Sequence, residues 1–304
     1  MANRKLTPAE AAQRKHDRKR LGIQACFAAL LNGYAAGFAK GRIFTGASKG
    51  VCVPVLNCYS CPGALGACPI GSLQAVAGGK GRSVSFYILG VLMLFGLVFG
   101  RLLCGFACPF GWIQDLLARI PVRRKSVPEN VDRPARKIKY VVLALVLILP
   151  AAVSAAKGAA ASPYFCKYIC PAGTLEGGLP LLLANANLRA MAGALFTWKA
   201  LVLTAVIAGA IFIPRCFCRY LCPLGAFYSL FSRFALYRME LDASSCIGCG
   251  KCEEACPMAV RVTQELETSP ECIRCGRCKA ACPAGAICAG FEIPGVKKKE
   301  NAEF

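Results

Sequence analysis

Hydrophobic positions along this chain are bunched rather than spread. Residues 84–100 (VSFYILGVLMLFGLVFG), 140–156 (YVVLALVLILPAAVSAA) and 199–214 (KALVLTAVIAGAIFIP) carry almost no charge. Each approaches the roughly 20 residues with which a helix crosses about 30 Å of hydrocarbon. A fourth run, 21–41, is weaker but follows a strongly basic leader. It reads as a first span rather than a cleaved signal peptide, because no neat small-residue cleavage site accompanies it. The pattern therefore predicts spans over about 21–41, 84–103, 140–156 and 197–214. The run 179–196 is interrupted by Asn185, Asn187 and Arg189 and reads as an interfacial or re-entrant helix. The glycine pairs Gly78-Gly79 and Gly177-Gly178 read as turns, not phosphate loops.

Composition agrees with this picture. Of 304 residues 56% are hydrophobic, above the about 45–50% usual in soluble domains. The formal net charge of +21 raises a nucleic-acid partner, but the basic residues fall in 3–20, 119–139 and 297–299, flanking the apolar runs. Such clusters mark the cytoplasmic side of a membrane protein, so no nucleic-acid partner is expected. Both termini are then cytoplasmic and loops 42–83 and 157–196 lie outside. Arg42, Lys49, Lys80 and Arg82 in the first of these loops run against the charge rule.

The two halves repeat. RLLCGFACPFGW (101–112) aligns with RCFCRYLCPLGA (215–226): Arg101 on Arg215, Cys104 on Cys218, Cys108 on Cys222, Pro109 on Pro223, Gly111 on Gly225. The outer loops echo one another too, CPIGSL (68–73) against CPAGTL (170–175). Such duplication places a shared site between the halves. The expected fold is mostly α: an integral membrane four-helix bundle of two pseudo-repeated halves, followed by a small α+β bacterial-ferredoxin-like domain. Its parts are a leader 1–20, a first half 21–120, a basic linker 121–138, a second half 139–235, a ferredoxin domain 240–290 and a tail 291–304.

Twenty-one cysteines stand against one histidine, His16, which lies in the charged leader and reads as a solvated residue. Bis-histidine haem is excluded. CIGCGKCEEACP (246–257) and CIRCGRCKAACP (272–283) are both C-x2-C-x2-C-x3-C-P, the bacterial run for [4Fe–4S] clusters whose fourth cysteine serves the other cluster. One cubane is assigned to Cys246, Cys249, Cys252 and Cys282, the other to Cys272, Cys275, Cys278 and Cys256. Paired structural zinc sites are the alternative, and two tandem copies with trailing prolines disfavour them. In the repeat, Cys104, Cys108, Cys218 and Cys222 form a third quartet, against which stand buried free thiols or disulfides. In the outer loops Cys61, Cys68, Cys166 and Cys170 form either a fourth quartet or disulfides, with Cys52 and Cys58 as alternates. Cys216 faces Leu102 in the alignment and reads as packing or a substitute ligand. Asp115 and Glu176 read as ordinary interfacial carboxylates.

Four spans, paired C-x3-C-P motifs and a C-terminal two-cluster ferredoxin resemble the polytopic membrane ferredoxins of the NapH and NosR type. The resemblance implies an electron-transfer subunit of the prokaryotic cytoplasmic membrane, serving anaerobic respiration and not acting as a stand-alone catalyst. It implies a cytoplasmic donor such as an acidic ferredoxin or flavodoxin, or quinol, and an extracytoplasmic flavoprotein or reductase as acceptor. The cysteine-rich outer loops depart from the simpler members and favour a wire that crosses the bilayer. A quinol dehydrogenase subunit feeding a periplasmic reductase, or a cluster-bearing redox-sensing or assembly protein, are the alternative functions.

Overall fold

The computed structural model describes residues 7–79, 86–122 and 127–291. Outside them lie the first six residues of the leader, Lys80 and Arg82, positions 84–85 of the second expected span, 123–126 of the linker and the tail from 292, with its lysines. The described chain is mainly helical, with a single two-stranded sheet.

The four-helix membrane bundle expected above is not what forms. Among the described residues two helices are long and apolar enough to cross a membrane, Glu129–Lys157 and Ala194–Phe212; Phe86–Phe99 is apolar but shorter. The first expected span fails because the basic leader does not stop where the apolar run begins. A capping box, in which Thr7 accepts from the Glu10 N–H and Glu10 accepts from the Thr7 N–H, starts a helix at Pro8. Good helix formers then carry it through the charged stretch to Leu31 as one 24-residue helix. It ends at Asn32, and a separate short helix, Ala35–Lys40, follows. The second expected span breaks at Gly100, whose φ is +56°, and a new turn of helix runs Leu102–Phe106. The helices Ile138–Lys157 and Ala194–Phe212 do contain the expected apolar runs, and they present Val141, Leu145, Ile148, Trp198 and Leu201 outward.

Between the halves the core is continuous, and the cysteine loop takes part in it. Val55, Leu56 and Asn57 are each 2% exposed or less. The loop is pinned by Ala67 N–H to the Val51 carbonyl, Val53 N–H to the Ala67 carbonyl, and the Tyr228 hydroxyl to the Pro54 carbonyl at 2.7 Å. It inserts as a wedge instead of lying over an outer surface. In the C-terminal domain Tyr237–Leu241 pairs antiparallel with Ile287–Phe291, Tyr237 opposite Phe291. Met239, Val262, Leu266 and Ile287 close a small core around Cys252 and Cys278. The N-terminal helix lies along this domain: Arg277 pairs with Asp17, and His16 sits against Gly276 rather than in open solvent.

Candidate functional site

A cysteine that starts a helix can offer its sulfur to the helix's free N–H groups. The Cys-Pro-x-Gly motif does this repeatedly. Cys108, Cys170 and Cys222 each accept from the N–H three residues on, at Gly111, Gly173 and Gly225, over 3.3–3.4 Å. Proline fits the first helical position, where no N–H is needed. Space beside these glycines is tight: a Cβ on Gly111 would stand 3.2 Å from the Cys104 carbonyl, and one on Gly225 3.2 Å from the Arg101 guanidinium.

The repeated arginine is answered by reciprocity. Arg101 of the first half donates to the Cys218 carbonyl, and Arg215 of the second donates to the Cys104 carbonyl. Each stitches the opposite half's cysteine turn. Both are fully buried and both are paired: Arg101 with Glu271, which also takes Lys139, and Arg215 with Asp115, which also takes Arg20. Asp115 is thus no interfacial carboxylate. The Arg215 and Arg20 guanidiniums hold it well below the usual range against the opposing effect of burial.

Four thiol quartets result. In the ferredoxin domain one enclosed pocket is lined by Cys246, Cys249, Cys252 and Cys282, the other by Cys256, Cys272, Cys275 and Cys278. The crossed fourth cysteine is therefore brought to the other run's site. Left-handed turns at Gly248, Gly250 and Gly276 shape these loops, and Arg274 takes the same conformation where the first run has Gly248. A third quartet lies where the halves meet, next to the ferredoxin domain: Cys108 faces Cys104, Cys218 and Cys222. We call it the near quartet. A fourth, the far quartet, gathers Cys170 with Cys58, Cys68 and Cys166.

Cys61 is not a member of the far quartet. It is buried beside Lys49 and Glu176, while a Cβ on Gly173 would stand 3.8 Å from both the Cys58 and the Cys170 sulfur. Cys52 is buried in the core between the halves. Cys216 packs on its own half, its thiol turned to the Val206 carbonyl. Glu176, expected at an interface, instead accepts from the Cys58 N–H at 2.7 Å, and burial pushes its carboxyl up to about 7.

Near and far quartets share one local design that sequence reasoning missed. Gln114 donates to the Cys218 sulfur at 3.1 Å and accepts from the Phe217 N–H. Gln74 donates to the Cys166 sulfur at 3.3 Å and accepts from the Phe165 N–H. Both glutamines stand six residues after a Cys-Pro cysteine, in CPFGWIQ and CPIGSLQ, and both receive a Phe-Cys pair from the other half. That spacing was the available signal.

The donor sets fit iron–sulfur clusters. All cysteines are free thiols, so none of the quartets is consumed by disulfides. Among the described residues no three ligands stand close enough for a single metal ion, so the quartets are more open than a zinc site with sulfurs about 2.3 Å from one ion. Burial pushes thiols such as Cys58 and Cys272 up to about 12, so without a cationic group they would remain protonated. Both amide atoms of Asn57, between the near and far quartets, are buried and lack a protein partner.

Comparison with known proteins agrees. A 4Fe-4S binding domain family matches residues 83–128, 141–182 and 195–239, and a 4Fe-4S dicluster domain family matches 238–283. An uncharacterized protein of Methanocaldococcus jannaschii is 32% identical over 185 residues, 59% of this chain and 68% of its own length. The methylamine utilization ferredoxin-type protein MauN of Paracoccus denitrificans is 30% identical over 175 residues (57% and 53%), and the ferredoxin-type protein NapH of Haemophilus influenzae is 25% identical over 176 (56% and 52%). The chain thus spans about half the length of the two named relatives. No solved structure matches.

Proposed function

Because the chain belongs to the 4Fe–4S ferredoxin-type NapH/NosR family and is an iron–sulfur electron-transfer protein, we propose that it is a wire of four [4Fe–4S] clusters running from an exposed ferredoxin domain into a membrane. The observation that carries this is the unbroken row of quartets. Cys249 is exposed beside Ile247, which is 68% exposed, giving a redox partner access to the first site. Cysteines of both ferredoxin sites pack on one core. Cys104 packs with Ile273 and Cys275, so the second site abuts the near quartet. The Cys108 thiol points to the Leu56 carbonyl, and Cys58 of the far quartet is two residues further along that same wedge.

Clusters supply one-electron carriers. The chain's residues supply spacing, burial, and N–H and amide groups aimed at sulfur, the levers by which proteins set such carriers. No acid or base is required for the steps between sites. The outward apolar faces of 138–157 and 194–212 support a membrane setting, with the far quartet delivering to, or taking from, a partner flavoprotein or reductase. The test is anaerobic iron and acid-labile sulfide per chain, together with electron flow through proteoliposomes. About 16 irons, as four thiolate quartets would bind, and flow that stops in Cys170→Ala support the wire. About 8 would confine clusters to the ferredoxin domain and end it.

A further inference from the structure

A cluster's potential is set by its type, its exposure, hydrogen bonds to its sulfurs and the local net charge. Near and far quartets match in the first three. Both are sets of four cysteine thiols, largely buried. Both carry Cys-Pro-x-Gly N–H groups on sulfur and one glutamine amide on a Phe-Cys thiol, Gln114 at one and Gln74 at the other. They differ in charge.

Around the near quartet four cations, Arg20, Arg101, Lys139 and Arg215, are each 3% exposed or less. Two acids oppose them, Asp115 and Glu271. Two positive charges are therefore uncompensated by protein. Arg101 and Arg215 lie against Cys104, and Lys139 faces Cys222. At the far quartet the buried cation Lys49 stands beside Cys58 and Cys61, and the carboxyl of Glu176 stands beside the same two cysteines; Lys199, which acts on Cys166, is partly exposed and screened by solvent. A reduced cluster carries one more negative charge than an oxidised one, and buried cations favour that charge.

We propose that the near quartet holds its cluster at a higher reduction potential than the far quartet, so that an electron on the wire rests at the near site. The inference rests on the four-cluster reading above. One electron, given by a low-potential donor that is oxidised by one electron, passes from far to near downhill. The opposite step runs uphill and must be drawn by an acceptor of higher potential beyond the far site.

The test is a dithionite titration of the whole protein in detergent, followed by electron paramagnetic resonance. Signals are assigned with Cys104→Ala for the near site and Cys170→Ala for the far one. The near signal should develop first, at the higher potential. Arg101→Gln, which leaves Glu271 its Lys139 partner, should lower the near potential and leave the far one, and Arg101→Lys should restore it. If Arg101→Gln does not fold, the wild-type order alone decides. A far signal at equal or higher potential, or an Arg101→Gln shift at both sites, overturns the proposal. With about 16 irons present, that result would leave the wire intact; about 8 would remove both.

Discussion

Gly100 is where the ferredoxin domain is seated on the helical part, and its replacement by alanine should undo that seating. Its φ of +56° is left-handed, a conformation that costs a residue with a Cβ about 1–2 kcal/mol. The added Cβ would stand 2.1 Å from an Arg274 terminal nitrogen, so the guanidinium must move. That nitrogen donates to the Phe99 carbonyl at 3.1 Å, and its sister donates to the Ser232 carbonyl. Losing one hydrogen bond to a charged group costs about 1.5–3 kcal/mol. Together the effects amount to about 2.5–5 kcal/mol, or about two to three and a half decades at about 1.4 kcal/mol each in the ratio of docked to undocked domain. Limited proteolysis of the anaerobic protein in detergent reads that ratio directly, and reduction of the near site by way of the ferredoxin sites should slow with it. Gly90 in the helix Phe86–Phe99 is the control. Nothing lies within 4 Å of its Cβ position, and alanine is the better helix former there. If Gly100→Ala and Gly90→Ala resist protease equally and pass electrons equally, Arg274 is not what docks the domain.

Cys58→Ser should lower iron content by about four, the complement of one cubane, while Cys61→Ser leaves it unchanged. Equal losses in the two variants would refute the far quartet as drawn. Gln114→Leu should keep full iron content but lower the near potential, because a hydrogen bond to a cluster sulfur favours the reduced form. Gln74→Leu should do the same at the far site alone, both read by redox titration. Asp115→Asn should destabilise the folded chain by about 3–5 kcal/mol, since it strands Arg215 and Arg20 without a counter-charge, measured by denaturant unfolding. The wild-type carboxyl is held below its unfolded value, so its contribution is fully present above about pH 4. It fades as pH falls toward the depressed folded value, and the Asn variant should lack that part of the acid limb.

What the sequence disclosed depended on how local each determinant is. The ferredoxin quartets, crossed fourth cysteine included, follow from spacing within 12-residue runs, and the structure gathers the same eight cysteines. The helices at 138–157 and 194–212 were visible because the runs 140–156 and 200–212 within them carry no charge. The first expected span was not a span, because a capped run of helix formers carries the leader's charges into the same helix, and hydropathy alone does not show where that helix began. Cys58 against Cys61 was undecidable from spacing: both lie in one tight turn, and packing of that turn on Gly173 and Gly177, more than 100 residues on, selects between them. Asp115 and Glu176 were misread for the same reason. What buries Asp115 is Arg215, 100 positions away, and what faces Glu176 is Cys58, 118 positions away.

The duplication therefore goes deeper than two halves. The Cys-Pro helix start bearing a glutamine six residues on occurs at Cys68 and at Cys108, both in the first half. Its complement, Phe-Cys followed by Cys-Pro, occurs at Phe165-Cys166 and Phe217-Cys218, both in the second. Each quartet is one part from each half, so neither half alone completes a site. At the near quartet the first half supplies Cys104 four residues before Cys108; at the far one it supplies Cys58, ten residues before Cys68. Val55, Leu56 and Asn57 lie just before Cys58, outside that interval, and the longer interval serves to fold the chain back on them: Ala67 at its end donates to the Val51 carbonyl and accepts from the Val53 N–H. The break in the repeat thus closes the loop that carries the wedge, which brings the Leu56 carbonyl to the Cys108 sulfur of one quartet and Cys58 to the other.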